Sequence, residues 1–275
     1  MKGKVLLPLD SSEASIKAFI PAKSIAKLLD MTLCILHISD EELTTEELLD
    51  KLKIKIEDLE YFVISQRAGS PEEVILEESK SCDYIVMGTH GKTCDTTLRM
   101  GSTTAKVIEQ TFKPVLLIKP DVCLHIENGL WSPQKTLIPL NGTPGSSEAL
   151  APVMMFIAKT SSKIDILHIC ISPTEQTLEQ SKFSAPYYED YLQHEWASWS
   201  KEFIKRFCSV NKNHIKASIS LFHGDPAEEI LSFAKKNNND FIAVVWHGTM
   251  AHLRAKTLKR ILIECDCPLM LIRLG

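Results

Sequence analysis

The sequence predicts two tandem α/β domains, each a five-stranded parallel sheet flanked by helices. Three observations lead there. The chain has 275 residues, room for one or two domains. Its halves repeat one another in order. Within each half, strand-like and helix-like segments alternate, which implies a parallel sheet covered on both faces.

The repeat is specific. Lys4-Val5-Leu6-Leu7-Pro8-Leu9-Asp10 returns as Lys135-Thr136-Leu137-Ile138-Pro139-Leu140-Asn141, 131 positions later. Ile35-Leu36-His37-Ile38 returns unchanged as Ile166-Leu167-His168-Ile169 at the same offset, as does Pro21 at Pro152. Gly69 and Pro71 match Gly224 and Pro226, now 155 positions apart. Asp83 through His90-Gly91 matches Asp240 through His247-Gly248, and Pro114 to Ile118 matches Pro268 to Ile272. One such match is within chance, but an ordered set is not. The second copy carries about 24 extra residues before its Gly-x-Pro turn. Domains at 1–120 and 134–275 follow, with a linker at 121–133 whose Asn128-Gly129 and Pro133 are loop signals.

The elements of the first copy read in order. Val5 to Leu9 is a short apolar run, a buried strand. Ser11 or Ser12 caps the next helix, whose apolar face is Ala18, Ala22, Ile25, Ala26 and Leu29. Pro21 is expected to kink or break it. Leu33 to Ile38 is the second strand, and Glu46 to Glu60 has helical periodicity. Tyr61 to Ser65 is the third strand, and Pro71 opens a helix running to about Lys80. Tyr84 to Met87 is the fourth strand, Gly101 to Thr111 mostly helix, and Val115 to Ile118 the fifth strand.

Composition narrows the function classes. A net charge of −4 gives no basic footprint for nucleic acid. No apolar run reaches the ~20 residues of a membrane span, and the start of the chain does not read as a signal peptide. Eight scattered cysteines lack disulfide-framework spacing and read as reduced thiols of a cytoplasmic protein. Cys265 and Cys267 are one close pair, and with His247 or His252 they form a candidate metal site. A spacing of one is not the zinc pattern, however, and a turn before Pro268 accounts for them, so no metal site is assigned.

The chemistry-bearing segment follows the fourth strand. Met87-Gly88-Thr89-His90-Gly91 is followed nine residues on by Gly101-Ser102-Thr103-Thr104, which opens a helix. Glycines let the backbone approach a ligand. A helix start offers unpaired N–H groups and a positive dipole end, suited to phosphate. Asp10, ending the first strand, can accept from a ribose hydroxyl or an adenine amine, or assist a metal ion. Glycines in a tight turn with no ligand are the plainer alternative.

Gly88-x2-Gly91-x9-Gly101-Ser102 resembles the nucleotide motif of the ATP-binding universal stress proteins. Pro8 to Ser15, Leu36-His37-Ile38 and Asp83 to Gly91 are similar to that family's first, second and fourth strands. The resemblance covers nearly the whole chain. It implies Rossmann-like domains of strand order 3-2-1-4-5 with a ligand crevice where the order reverses. It implies that Asp10 and the Ile38 backbone meet adenine or ribose. Met87, Gly88, His90 and Gly91 then line the ribose and phosphate path, and Gly101, Ser102, Thr103 and Thr104 hold the phosphates. Lys92 and Arg99 read either as phosphate screens or as solvated loop cations. ATP or ADP is the implied ligand, with Mg²⁺ accompanying it. The family arrangement also implies a two-fold packing of the copies, with their fifth strands paired. Homodimerisation of the whole chain and the identity of any protein partner stay open.

The second copy departs from the motif. Asn141 replaces Asp10, Val245 and Trp246 replace Gly88 and Thr89, and Ala255-Lys256 replaces Gly101-Ser102. No nucleotide binding of the family kind is expected there; Arg254, Lys256 and Lys259 read as a solvated helix face or as a site for another anion. The extra segment carries Tyr187, Tyr188, Tyr191, Trp196, Trp199, Phe203 and Phe207, a core stripe or a partner surface. A nucleotide-responsive stress protein is the leading reading. A slow ATPase and a nucleotide-independent scaffold acting through the second copy are the alternatives. No Walker lysine motif is present and no catalytic residue is assigned.

Overall fold

The computed structural model describes residues 2–52, 54, 62–89, 100–140, 149–170, 216–246 and 255–274. The first half runs β1 (Lys4–Pro8), α1 (Glu13–Leu28), β2 (Thr32–Ile38), α2 (Thr45–Lys51), β3 (Phe62–Arg67), α3 (Pro71–Ser79), β4 (Tyr84–Gly88), α4 (Ser102–Gln110) and β5 (Val115–Ile118). A short hairpin follows, β6 (Ile126–Glu127) and β7 (Leu130–Trp131). The second half runs β8 (Lys135–Leu140), α5 (Ala151–Ile157), β9 (Lys163–Cys170), β10 (Ala217–His223), α6 (Pro226–Asn237), β11 (Phe241–Trp246), α7 (Lys256–Glu264) and β12 (Leu269–Arg273).

Both halves have the expected parallel order, and they merge into one ten-stranded sheet, β10-β9-β8-β11-β12-β5-β4-β1-β2-β3. The seam is antiparallel. Leu117 faces Leu269, Leu116 faces Met270 and Val115 faces Leu271. The pairing expected of the fifth strands is therefore present, and it covers two edges that would otherwise be open to other chains.

Alternation along the strands builds two cores. Val5, Leu7 and Leu9 pack with Ala18, Ala22 and Ile25 of α1 on one face. Leu6 and Ile85 pack with Ile75 of α3 and Val107 and Ile108 of α4 on the other. Each core continues into the second half, to Phe156 and Phe241 on the first face and to Ile230 and Ile261 on the second.

Helix starts follow the local chemistry. Ser12 accepts the Ser15 N–H, and Thr44 and Glu47 form a reciprocal capping box. Pro71 and Pro226 sit in the first turns of α3 and α6, where a missing N–H costs nothing.

Several expectations shift. Pro21 does not break α1, which runs unbroken from Glu13 to Leu28. Proline forfeits one backbone bond, to the Lys17 carbonyl, but its ring is buried under the sheet and packing of the surrounding face outweighs that loss. The helix expected over 46–60 is α2, ending at Lys51; residues 53 and 55–61 lie outside the described set. The third strand sits at Phe62–Arg67, slightly later than expected. The inter-repeat segment is more than a loop. It forms the β6–β7 hairpin, and Trp131 is buried against Phe156 (stacked, 5.2 Å) and Phe241 (edge-on, 5.1 Å). The Trp131 N–H donates to Ser24 Oγ of α1 at 2.7 Å. One aromatic thus joins the core of the second half to the first helix of the first.

Candidate functional site

The site lies where β1 and β4 adjoin, with β2 beyond one and β5 beyond the other. Connections leave β1 and β4 on opposite faces, so the carboxyl ends of the two strands open a crevice. A cleft of about 200 Å³ occupies it, walled by Pro8 to Asp10, Leu36, Ile38, Met87, Gly88 and Gly101 to Thr104, among others.

Eight of the ten residues assigned from sequence line this single cleft: Asp10, Ile38, Met87, Gly88, Gly101, Ser102, Thr103 and Thr104. His90 and Gly91, with Lys92 and Arg99, lie outside the described residues. So do Asn141, His247, His252, Arg254 and the aromatic insert of the second half.

Asp10 is set by a tight turn. Its Oδ1 accepts the Ser12 N–H at 3.0 Å, and its own N–H donates to Ser15 Oγ at 3.4 Å. Ser11 between them has φ 65°, a left-handed conformation that short polar residues tolerate in turns. Just before it, the Leu9 carbonyl accepts from His37 Nδ1 at 2.8 Å. A carbonyl only accepts, so Nδ1 carries the proton and, in the neutral ring, Nε2 is the lone-pair nitrogen. His168 makes the same bond to the Leu140 carbonyl at 3.0 Å in the second half. The repeated Ile-Leu-His-Ile string is thus a backbone anchor for the strand end that carries Asp10. Sequence reading noted the string but not this role.

The glycine at 88 has a packing cause. A Cβ there would lie 2.8 Å from the Ala14 carbonyl carbon and 2.9 Å from Ser15 N, inside the first turn of α1. Helix α1 therefore requires glycine at this position, whatever occupies the cleft. The Gly88 carbonyl accepts from Thr104 Oγ1 at 3.1 Å. One residue on, the Thr89 carbonyl accepts from Gly101 N–H at 2.8 Å. Two hydrogen bonds thus hold the start of α4 against the end of β4.

Gly101 caps α4 in an extended conformation without a side-chain hydrogen bond, and the first turn of α4 carries no acidic residue. Its unpaired amides and the positive end of the helix dipole sit at the cleft wall. Ser102 is exposed and Thr103 half-buried, with hydroxyls beside those amides. In the second half, Ala255 at this position is helical (φ −78°, ψ −3°) and buried, and Trp246 is buried in the same core. Side chains stand there where the first half offers backbone.

Sequence reading missed Pro8, Leu9, Ser15, Leu36, Pro71 and Ile75 as cleft walls. Pro71 and Ile75 come from α3. Their signal was the Gly69-x-Pro71 turn, which begins a helix at the same end of the sheet as Asp10. At the outer side of that wall, Glu72 of α3 pairs with Lys106 of α4, and this contact holds the Glu72 carboxyl below its usual range.

Fold and crevice together define a doubled, open parallel α/β protein with its cleft at the strand-order reversal. The Universal stress protein family model matches residues 1–119 and again 133–273, and the chain belongs to that family as a tandem member. Universal stress protein MJ0531 of Methanocaldococcus jannaschii is 31% identical over 138 residues, covering 42% of this chain and 81% of its own. Universal stress protein MJ0577 of the same organism is 28% identical over 155 residues, covering 43% and 96%. In three dimensions, a universal stress protein from Archaeoglobus fulgidus superposes with a TM-score of 0.67 at 17% identity, covering 99% of this chain and 98% of that one. No helix among the described residues is long and apolar enough to cross a membrane.

Proposed function

We propose that the first half binds an adenine nucleotide, ATP or ADP, in the β1–β4 cleft, and that the protein acts as a stress-response sensor or regulator through that occupancy. The observation that carries this is the convergence of Asp10 and the uncapped Gly101–Thr104 turn on one cleft. Phosphates suit the amides and hydroxyls of the α4 start. The Asp10 carboxylate, braced by Ser12, suits a ribose hydroxyl or an adenine amine. Leu36, Ile38, Met87 and Ile75 give the base an apolar slot.

Asp10 is the one carboxylate among the cleft-lining residues, and no group of three metal-ligating side chains exists among the described residues. Mg²⁺ fits only as an ion that arrives with the nucleotide and is held chiefly by phosphate oxygens.

Thermal unfolding with ATP, ADP, GTP and inorganic phosphate tests it. Saturating ATP or ADP is expected to raise the midpoint by several degrees, the linkage expected at ligand well above Kd. An equal rise with GTP would contradict an adenine site, and a rise with phosphate alone would reduce the site to an anion pocket.

A further inference from the structure

The two halves hold each other's helices across the seam. Lys119 and Arg273 follow the matching strings Pro114–Ile118 and Pro268–Ile272, so they are equivalent in the repeat. Each reaches over the β5–β12 pairing into the other half. Lys119 Nζ donates to the Ile263 carbonyl at 3.0 Å, and to that of Cys265, at the end of α7. Arg273 Nη1 donates to the Glu109 carbonyl at the end of α4. Its guanidinium also lies over the Phe112 ring, 4.6 Å from the centroid.

A helix end leaves such carbonyls without an intrahelical partner. The last turns of α4 and α7, Val107 to Gln110 and Ile261 to Glu264, hold no basic residue in their sequence. A cation there suits the negative end of the helix dipole. In both helices it comes from the other half. The two caps differ in what they serve. Helix α7 starts at the buried Ala255, where α4 has Gly101. The start of α4 lines the cleft with Gly101 to Thr104.

Helix α4 has nine residues, too short to stay wound without support. Its start is fixed by the Thr104 hydroxyl on the Gly88 carbonyl, its end by Arg273 on the Glu109 carbonyl. Amides offered to phosphate keep their aim only while the helix that carries them stays formed.

We propose, on the nucleotide reading of that cleft, that Arg273 is a positioning residue of the first-half site, and that nucleotide occupancy is coupled through α4 to the docking of β12. Phosphate at the start of α4 and the guanidinium at its end complement opposite poles of one dipole, so each strengthens the helix the other needs. By linkage, whatever affinity Arg273 lends the nucleotide, the nucleotide returns to the Arg273 contact. A second half whose own helix start offers side chains in place of backbone thus keeps a part in the first half's site.

The test is calorimetric titration of the full chain with ATP and Mg²⁺ in wild type, R273M, R273K and K119M, each shown to be folded by circular dichroism, beside amide hydrogen exchange without nucleotide. Arg273→Met is expected to weaken ATP binding about threefold to tenfold. Arg273→Lys keeps the charge but not the planar stack and should recover part of that loss. Lys119→Met removes the equivalent cap from α7 and should leave ATP affinity within about twofold of wild type. Exchange over residues 102–110 should quicken in R273M and not in K119M. Wild-type affinity in R273M overturns the inference, and so does an equal loss in K119M, which would mark a general weakening of the seam. Should R273M not fold, F112A strips only the stacked ring from an exposed position and is expected to weaken ATP in the same direction; unchanged affinity there overturns the inference instead. If wild type binds no nucleotide, the nucleotide reading of the cleft fails by itself. Exchange then judges Arg273: unchanged protection over 102–110 in R273M overturns its hold on α4, and faster exchange there upholds it.

Discussion

The Thr104 hydroxyl donates to the Gly88 carbonyl at 3.1 Å, so the first turn of α4 is tied to the last residue of β4. That tie holds the Gly101–Thr104 wall of the cleft against the end of β4. Thr104→Val keeps the shape and removes the donor. It should cost about 1 kcal/mol, seen as a shifted denaturant midpoint. It should also weaken ATP binding more than its stability loss explains. Gly88→Ala tests the other side of the tie. With a Cβ 2.8 Å from the Ala14 backbone, it should destabilise by about 1–3 kcal/mol.

His37 should prove structural for the strand end rather than a proton carrier. His37→Leu leaves the Leu9 carbonyl without its 2.8 Å partner. A loss of about 1–3 kcal/mol in urea unfolding is expected. Cleft affinity should fall with it, because Asp10 follows Leu9 directly.

Trp131 should behave as a core residue of both halves. Trp131→Ala removes two aromatic contacts and should cost about 3–5 kcal/mol. Because the side chain sits in the second-half core and the backbone is bound to Ser24, the halves should still unfold in one transition. Two separated transitions in the variant's calorimetry would show instead that the Trp131 side chain, and not its backbone bond or the β5–β12 seam, couples the halves.

The Glu72–Lys106 pair predicts a mild acid sensitivity at the cleft wall. The Glu72 carboxyl is held below its ordinary range in the folded chain. Its contribution is therefore full above the unfolded carboxylate pKa and is lost as pH falls through the lower folded value. Lys106→Met should flatten the thermal midpoint against pH in that acid window and leave the two proteins alike below it. Glu72 is partly buried, but the Lys106 side chain is about half exposed and solvent screens the pair, so the difference should be small.

Much of this was legible from periodicity and repetition. Val5 to Leu9 and Val115 to Ile118 could be read as buried strands because all-apolar runs suit a sheet covered on both faces. The cleft residues could be read because glycine, serine and threonine at a strand-to-helix junction carry their chemistry in the sequence. What escaped depended on tertiary contact. Pro21 is tolerated because a buried helix face offsets its lost bond. Gly88 is glycine because of Ala14, seventy-four positions away. Trp131 sits in a stretch rich in turn residues, yet its ring is buried between Phe156 and Phe241. None of these partners is visible in a local pattern.

Calorimetric titration of nucleotide-stripped protein with ATP and Mg²⁺ tests the central claim most directly. The account predicts a stoichiometry near one per chain, with the site in the first half, and its loss in Gly101→Trp shown to be folded by circular dichroism. Two sites per chain, or heat that survives Gly101→Trp, would contradict the placement of the site. No heat across a millimolar range would contradict nucleotide binding itself.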